Sequence, residues 1–258
     1  MKDNLSMHPN PQFERENWQS LNGEWDFGFL KAKKTRYKFM NAEEILTFYK
    51  KAETNHKINI PFCVESSLSG IAYKDFLNIV WYKNCIDITN YARIFLHIGA
   101  ADYKTTVLIN GKIAGTHKGG YTSFSFEISD FVNSGKNEIF IICEDDTKSS
   151  LIATGKQSDR KNSYACSYTR TTGIWQNVYM EYVPKSYIKG FKIFPDIYQK
   201  NVTIQFDLSG AEKLCCTALY NGKAVGTASV HNTSSHVILQ IPLDEIHPWE
   251  LGEGNIYD

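Results

Sequence analysis

The sequence carries no excess of charge: 28 Lys and Arg offset 28 Asp and Glu across 258 residues. A neutral chain has no electrostatic footprint for nucleic acid or for an anionic membrane surface. No run is long and apolar enough for a membrane span. The N-terminus, Met1 to Leu5, lacks the apolar core of a signal peptide. None of the six cysteines (Cys63, Cys85, Cys143, Cys166, Cys215, Cys216) forms a CxxC pair, and the seven histidines show no metal-ligand spacing. Several of the cysteines sit in apolar runs such as Phe140-Ile141-Ile142-Cys143, which reads as reduced thiols packed as small hydrophobes. A reducing, cytoplasmic location is the expectation. No Ser-His-acid set, P-loop or zinc signature is present.

What is present is aromatic and strand-forming. Hydrophobic residues make up 42% and aromatics 14% of the chain, enough for a sizeable β-rich core. Trp25, Phe27 and Phe29 share one face of a strand that follows the Asn22-Gly23 turn signal. The best helix spans Asn41 to Tyr49, with Asn41 as its cap and an acidic first turn; it reads as surface decoration. Strands follow at Val80–Asp87, Arg93–Gly99, Thr105–Ile109 and Asn137–Glu144, with a type I′ hairpin at Asn110-Gly111. His97 reads as a strand histidine packed on its neighbours. Asp145-Asp146 reads as a solvated strand end, with cation binding as the other reading. After Pro184 a second series of short strands begins, at Ile188–Pro195, Val202–Leu208, Leu214–Tyr220, Ala224–Val230 and Val237–Ile241.

The most informative run is Tyr168-Thr169-Arg170-Thr171-Thr172-Gly173-Ile174-Trp175-Gln176-Asn177-Val178-Tyr179-Met180-Glu181. Its second half alternates like a strand. Arg170, placed where that strand begins, needs partners. Two readings stand: it braces a loop through backbone carbonyls, or it faces a ligand at a rim.

This run, with Gly155-Lys156-Gln157 upstream, resembles the close of the N-terminal domain in glycoside hydrolase family 2, which holds β-galactosidases, β-glucuronidases and β-mannosidases. Further motifs occur in the family's order: the opening around Trp18 to Trp25, the Pro61-Phe62 to Gly70 loop containing Glu65, Gly99 to Tyr103, His117 to Phe124, and Glu144 to Thr147. The resemblance implies an all-β chain: a jelly-roll β-sandwich over 1–183, then an immunoglobulin-like β-sandwich over 184–258. The second stretch is shorter than the roughly 100 residues such a domain needs, so its last strands are expected to be missing. The family's two catalytic carboxylates lie in a C-terminal TIM barrel of about 250 residues or more, and this sequence contains no such pattern. The expectation is a non-catalytic front end of a retaining enzyme acting on terminal β-glycosides, β-galactosides favoured, with no catalytic residue, cofactor or metal ligand of its own. Its partners would be the barrel and, through it, a carbohydrate. The positions matching the family's rim are Lys156, Gln157, Tyr168 and Arg170. Many members place an Asp three residues before the position of Arg170; this chain has Ser167 there. The alternative is a stand-alone carbohydrate-binding module, with Trp81, Tyr82, Tyr103 and Tyr121 either as stacking aromatics or as core. A domain that mediates homo-oligomer contacts is a third reading.

Overall fold

The computed structural model describes residues 7–32, 37–89, 91–149, 151–210, 213–231 and 234–258. The leader reading of Met1 to Leu5 falls outside them. Contacts divide the chain into two units, Met1–Tyr182 and Val183–Asp258. The chain is all-β and built of antiparallel sheets. Among the described residues no helix is long and apolar enough to cross a membrane.

In the first unit the strands are β1 (Trp18–Ser20), β2 (Gly23–Lys31), β3 (His56–Ile60), β4 (Leu77–Ile88), β5 (Arg93–Ile98), β6 (Ala101–Asp102), β7 (Lys104–Ile109), β8 (Lys112–Lys118), β9 (Phe124–Glu127), β10 (Gly135–Glu144), β11 (Gly173–Ile174) and β12 (Val178–Val183), with helix α1 (Ala42–Tyr49) after β2. A six-stranded sheet runs β3-β2-β4-β10-β7-β8 and a four-stranded sheet β1-β12-β5-β9. Alternate residues of both sheets meet in one core. Trp25, Phe27, Val80, Tyr82, Val107 and Ile141 come from the larger sheet, and Leu96, Ile98, Val178 and Met180 from the smaller. This pairing of faces makes the unit a sandwich.

The other face of the larger sheet is also buried. Ile79, Trp81, Leu108, Phe140 and Ile142 form a second cluster there, closed by Ile45 of α1. Burial on both faces explains why β4 and β10 read as nearly continuous apolar runs. It also corrects the expectation for α1. Its capping box is complete, with Asn41 and Glu44 bonded reciprocally, but the helix covers a core and is not decoration. Trp81 and Tyr82 both belong to core, which removes them from any exposed aromatic platform.

One long strand expected near residue 174 is broken. Gly173–Ile174 pairs with β6, whereas Val178–Val183 joins the four-stranded sheet. Residues 175–177 make the crossing: Trp175 N–H donates to Ala100 O (3.2 Å), Asn177 O accepts from Gly99 N–H (2.8 Å), and Val178 N–H donates to Asn22 Oδ1 (3.0 Å). Gly99 is tightly placed under this crossing, since a Cβ on it would lie 2.7 Å from the Gln176 Cβ.

The second unit has β13 (Tyr187–Asp196), β14 (Asn201–Ser209), β15 (Lys213–Tyr220), β16 (Lys223–His231) and β17 (His236–Pro242). A β13-β14-β17 sheet and a β15-β16 hairpin enclose one small core of Ile204, Phe206, Leu208, Leu214, Val237, Leu239 and Ile241. Among the described residues these five strands compare with seven in an immunoglobulin constant-type sandwich. The hairpin turns at Asn110-Gly111 and Asn221-Gly222 both have positive φ at each residue (50° and 76°; 49° and 75°), the geometry of type I′ turns.

All six cysteines are free. Cys143 is buried, but Cys85, Cys166 and Cys215 are exposed, so packing as small hydrophobes describes only part of the set.

Candidate functional site

The loop between β10 and β11 contains no long strand, yet it is closely tied. Tyr168 N–H donates to Lys156 O (2.8 Å) and Ser158 N–H to Tyr168 O (2.7 Å), which joins the two ends of the loop's inner turn. The buried Ser158 hydroxyl faces the Arg160 and Asn162 carbonyls (3.0 and 2.8 Å).

Arg170 organises this turn from beneath. Its residue is 2% exposed. Nη1 donates to the carbonyls of Ser158 and Arg160, and Nη2 to those of Lys74 and Lys161. The guanidinium also lies 4.1 Å from the centre of the Phe76 ring. Burial lowers its pKa, and the charge of Glu65 opposes that shift. Of the two readings of Arg170, these contacts are those of a loop brace: both terminal nitrogens donate to backbone carbonyls, and the side chain is not among those lining the cavity of Lys156, Gln157 and Tyr168.

Glu65 serves the same frame. It is buried and accepts from Thr172 N–H (3.0 Å) and Thr172 Oγ1 (2.5 Å). Burial raises its pKa, while the Thr172 bonds lower it.

Above this frame the other three rim residues come together. Lys156, Gln157 and Tyr168 line a cavity of about 400 Å³ with Asp102, Tyr121 and Trp175. Gln157 is the linchpin: its Nε2 donates to Asp102 Oδ2 (2.5 Å) and its Oε1 accepts from Thr171 N–H (2.8 Å). Asp102 is 2% exposed, and burial pushes its pKa from 3.8 up to about 6, against the lowering effect of the Gln157 bond. Gly120 leaves room for this carboxylate; a Cβ there would lie 2.5 Å from Asp102 Cγ. Trp175 Nε1 donates to Gly120 O (2.8 Å), and Tyr121 meets the Trp175 ring edge-on at 6.1 Å. Tyr121 and Tyr168 stand at 58% and 62% exposure.

Asp102 and Trp175 were not singled out as site residues by sequence reasoning. The Gly99 to Tyr103 motif contains Asp102, and its place in that motif was the available signal. Asp145 also departs from expectation: it is 2% exposed, and burial followed by the charge of Asp102 raises its pKa well above the aspartate range, so it is no solvated strand end. Among the described residues no group of three or more His, Cys, Asp or Glu is placed to hold a metal ion. His97 stacks on Tyr179 (4.6 Å, 9°) with Nε2 3.0 Å from Glu181 Oε2, the packed strand histidine expected.

The first unit is thus a β-sandwich with a cavity at its loop end, and the carboxylate of Asp102 is part of that cavity's lining. Comparison with known proteins narrows this. No family model matches the chain. The β-galactosidase of Thermoanaerobacter pseudethanolicus is 22% identical over 198 residues, covering 72% of this chain and 26% of that protein. A putative β-glucuronidase of Formosa agariphila is 30% identical over 116 residues, covering 44% of this chain and 13% of that protein. Among solved structures, Ruminococcus gnavus β-glucuronidase aligns with a TM-score of 0.68 at 17% identity, covering 97% of this chain and 42% of that one. The FMN-binding β-glucuronidase of Facaelibacterium prausnitzii L2-6 aligns at 0.66 with 20% identity, covering 93% and 36%. The chain thus spans about a quarter or less of these curated relatives and about two-fifths of the solved structures. The motifs and these likenesses agree that it is a partial glycoside hydrolase family 2-like segment.

Proposed function

We propose that the chain is the non-catalytic front portion of a retaining β-glycosidase, a jelly-roll module followed by immunoglobulin-like strands. A C-terminal TIM barrel would supply both catalytic carboxylates, and the cavity at Asp102 would face the sugar in that barrel's mouth. The observation that carries this reading is the convergence of Lys156, Gln157 and Tyr168 with Asp102 in one cavity. An ionised Asp102 accepts hydrogen bonds from the hydroxyls of a neutral hexose and repels a uronate carboxylate. That supports a terminal β-galactoside over a β-glucuronide as the substrate of the whole protein. With Ser167 where many members have Asp, Asp102 is the acid left to make such a contact.

The test is direct. The 258-residue chain should show no turnover of aryl β-galactosides or β-glucuronides. Turnover that disappears when one of the chain's own carboxylates is replaced overturns the reading. Exposed Tyr121 and Tyr168 beside the cavity favour one second reading, a stand-alone carbohydrate-binding module. Millimolar or tighter binding of methyl β-galactoside to the chain, lost in Tyr168→Ala, supports the module.

A further inference from the structure

A second cavity, of about 600 Å³, opens in the first unit and shares no lining residue with the first. Asp102 and Tyr103 are consecutive, and each lines a different one of the two. The second cavity is lined by three aromatic residues, Tyr37, Phe39 and Tyr103, by two lysines, Lys38 and Lys118, and by Leu151 and Ile152.

A buried ion pair lies behind this wall, bonded to the Tyr37 hydroxyl, with Lys104 Nζ 5.8 Å from the centre of the Phe39 ring. Lys104 Nζ lies 2.8 Å from Glu144 Oε2 and donates to Met40 O at 2.5 Å. Glu144 Oε1 accepts from the Tyr37 hydroxyl (2.9 Å) and from Met40 N–H (2.6 Å). Phe39 then sits 6.0 Å from the Tyr103 ring and meets Tyr37 edge-on at 5.6 Å. A ring wall held by a fully buried carboxylate is preorganised, which lowers the ordering cost of binding.

The charge at this wall points to the ligand. Lys38 and Lys118 are exposed, and neither is paired with a carboxylate among the described residues. The one acid in the lining, Asp146, already accepts from Tyr37 N–H (3.3 Å). Aromatic faces stack on the C–H faces of a pyranose, and two free ammonium groups beside them complement a carboxylate. We propose that this cavity binds an acidic saccharide, a uronate-bearing mono- or oligosaccharide, at a site separate from the cavity of Asp102. The site adds an acid-sugar affinity to a module whose first cavity suits a neutral hexose.

Ligand-observed NMR titration of the 258-residue chain with sodium digalacturonate, and with methyl β-galactoside in parallel, tests this. Digalacturonate should bind with a millimolar Kd, weakened about three- to five-fold by each of Lys38→Gln and Lys118→Gln. Phe39→Ala should weaken it about five-fold or more. Asp102→Asn should leave it unchanged. Both lysines are exposed, so their replacement does not threaten folding, and near-ultraviolet circular dichroism checks Phe39→Ala. No saturation by about 20 mM overturns the proposal. So does insensitivity to both lysine changes, loss of binding in Asp102→Asn, or equal displacement by inorganic phosphate, which would show plain anion binding.

Discussion

Asp102 gives the sharpest test of how the first cavity is built. Its pKa stands at about 6 in the folded chain against 3.8 for an ordinary aspartate, because burial penalises the ionised form. Between those values the folded chain keeps a proton that the unfolded chain has released, so stability falls as pH rises through this window. The full effect is about 3 kcal/mol, and about 1.4 kcal/mol of it develops between about pH 5 and pH 8. Glu65 and Asp145 are shifted in the same direction, so the wild-type curve alone does not isolate Asp102. The difference between wild type and Asp102→Asn does. Asparagine has the same shape, keeps one acceptor for the Gln157 amide, and does not titrate. Urea unfolding followed by tryptophan fluorescence is the assay, since Trp18, Trp25, Trp81 and Trp175 report on the first unit and only Trp249 lies in the second. The stability of Asp102→Asn relative to wild type should rise from pH 5, most steeply near pH 5 to 6, and level off above about pH 7. A difference that is flat across that range, or that shrinks, refutes the claim that a buried charge is held at the cavity floor.

Glu181 titrates in the opposite sense. Burial alone would raise its pKa, yet the hydrogen bonds and charges of His97 and Arg15 hold it below the ordinary value. Its ionised form stabilises the fold above about pH 4.5, and that contribution is lost as pH falls through the lower folded value; Glu181→Gln should therefore cost stability at neutral pH and progressively less in acid, read by the same unfolding assay. Lys104→Met leaves Glu144 without its cation at full burial and should cost about 3 kcal/mol, much of it recovered in the Lys104→Met/Glu144→Met double variant, as thermal unfolding would show. Arg170→Lys keeps the charge but cannot serve four carbonyls from one planar fork; the loop should lose amide-exchange protection at Ser158 and Tyr168 while the sheet amides of β4 and β10 keep theirs.

Much of the architecture was legible in the chain. The second unit's strands were visible because one core lies between two thin sheets, so β14 and β17 alternate inside and outside with period two. The two Asn-Gly turns were visible because both residues must take positive φ, which few others accept. The break at residues 175–177 was not. Alternation tells which side chains share a face, but not when the chain leaves one sheet for another. The three-residue crossing changes partners and turns Gln176 out to solvent, although Ile174 and Val178, two residues to either side, are buried. The fate of Arg170 was equally hidden: the sequence demanded a partner for a buried cation, and both carbonyls and a ligand satisfy that demand. Only folding brings Lys74, far away in sequence, to close the guanidinium's fourth contact. Asp102 was hidden because its burial comes from residues 120 and 157, on segments that no local pattern joins to it.

The site is consequently a polar construction resting on an apolar one. The sandwich core fixes β4, β6 and β11, but the loop carrying Lys156, Gln157 and Tyr168 contributes little to that core. It is ordered by hydrogen bonds from Arg170, Glu65, Ser158 and Gln157, each side chain meeting backbone groups that regular secondary structure would otherwise pair. Such a frame is directional, because a hydrogen bond fails when its geometry drifts whereas an apolar contact tolerates drift. It can hold Gln157 in place between Asp102 and Thr171 without filling the cavity above with side chains. That combination sets a fixed carboxylate under open space, with the cation of the most informative stretch of the sequence beneath the loop, bonded to its carbonyls.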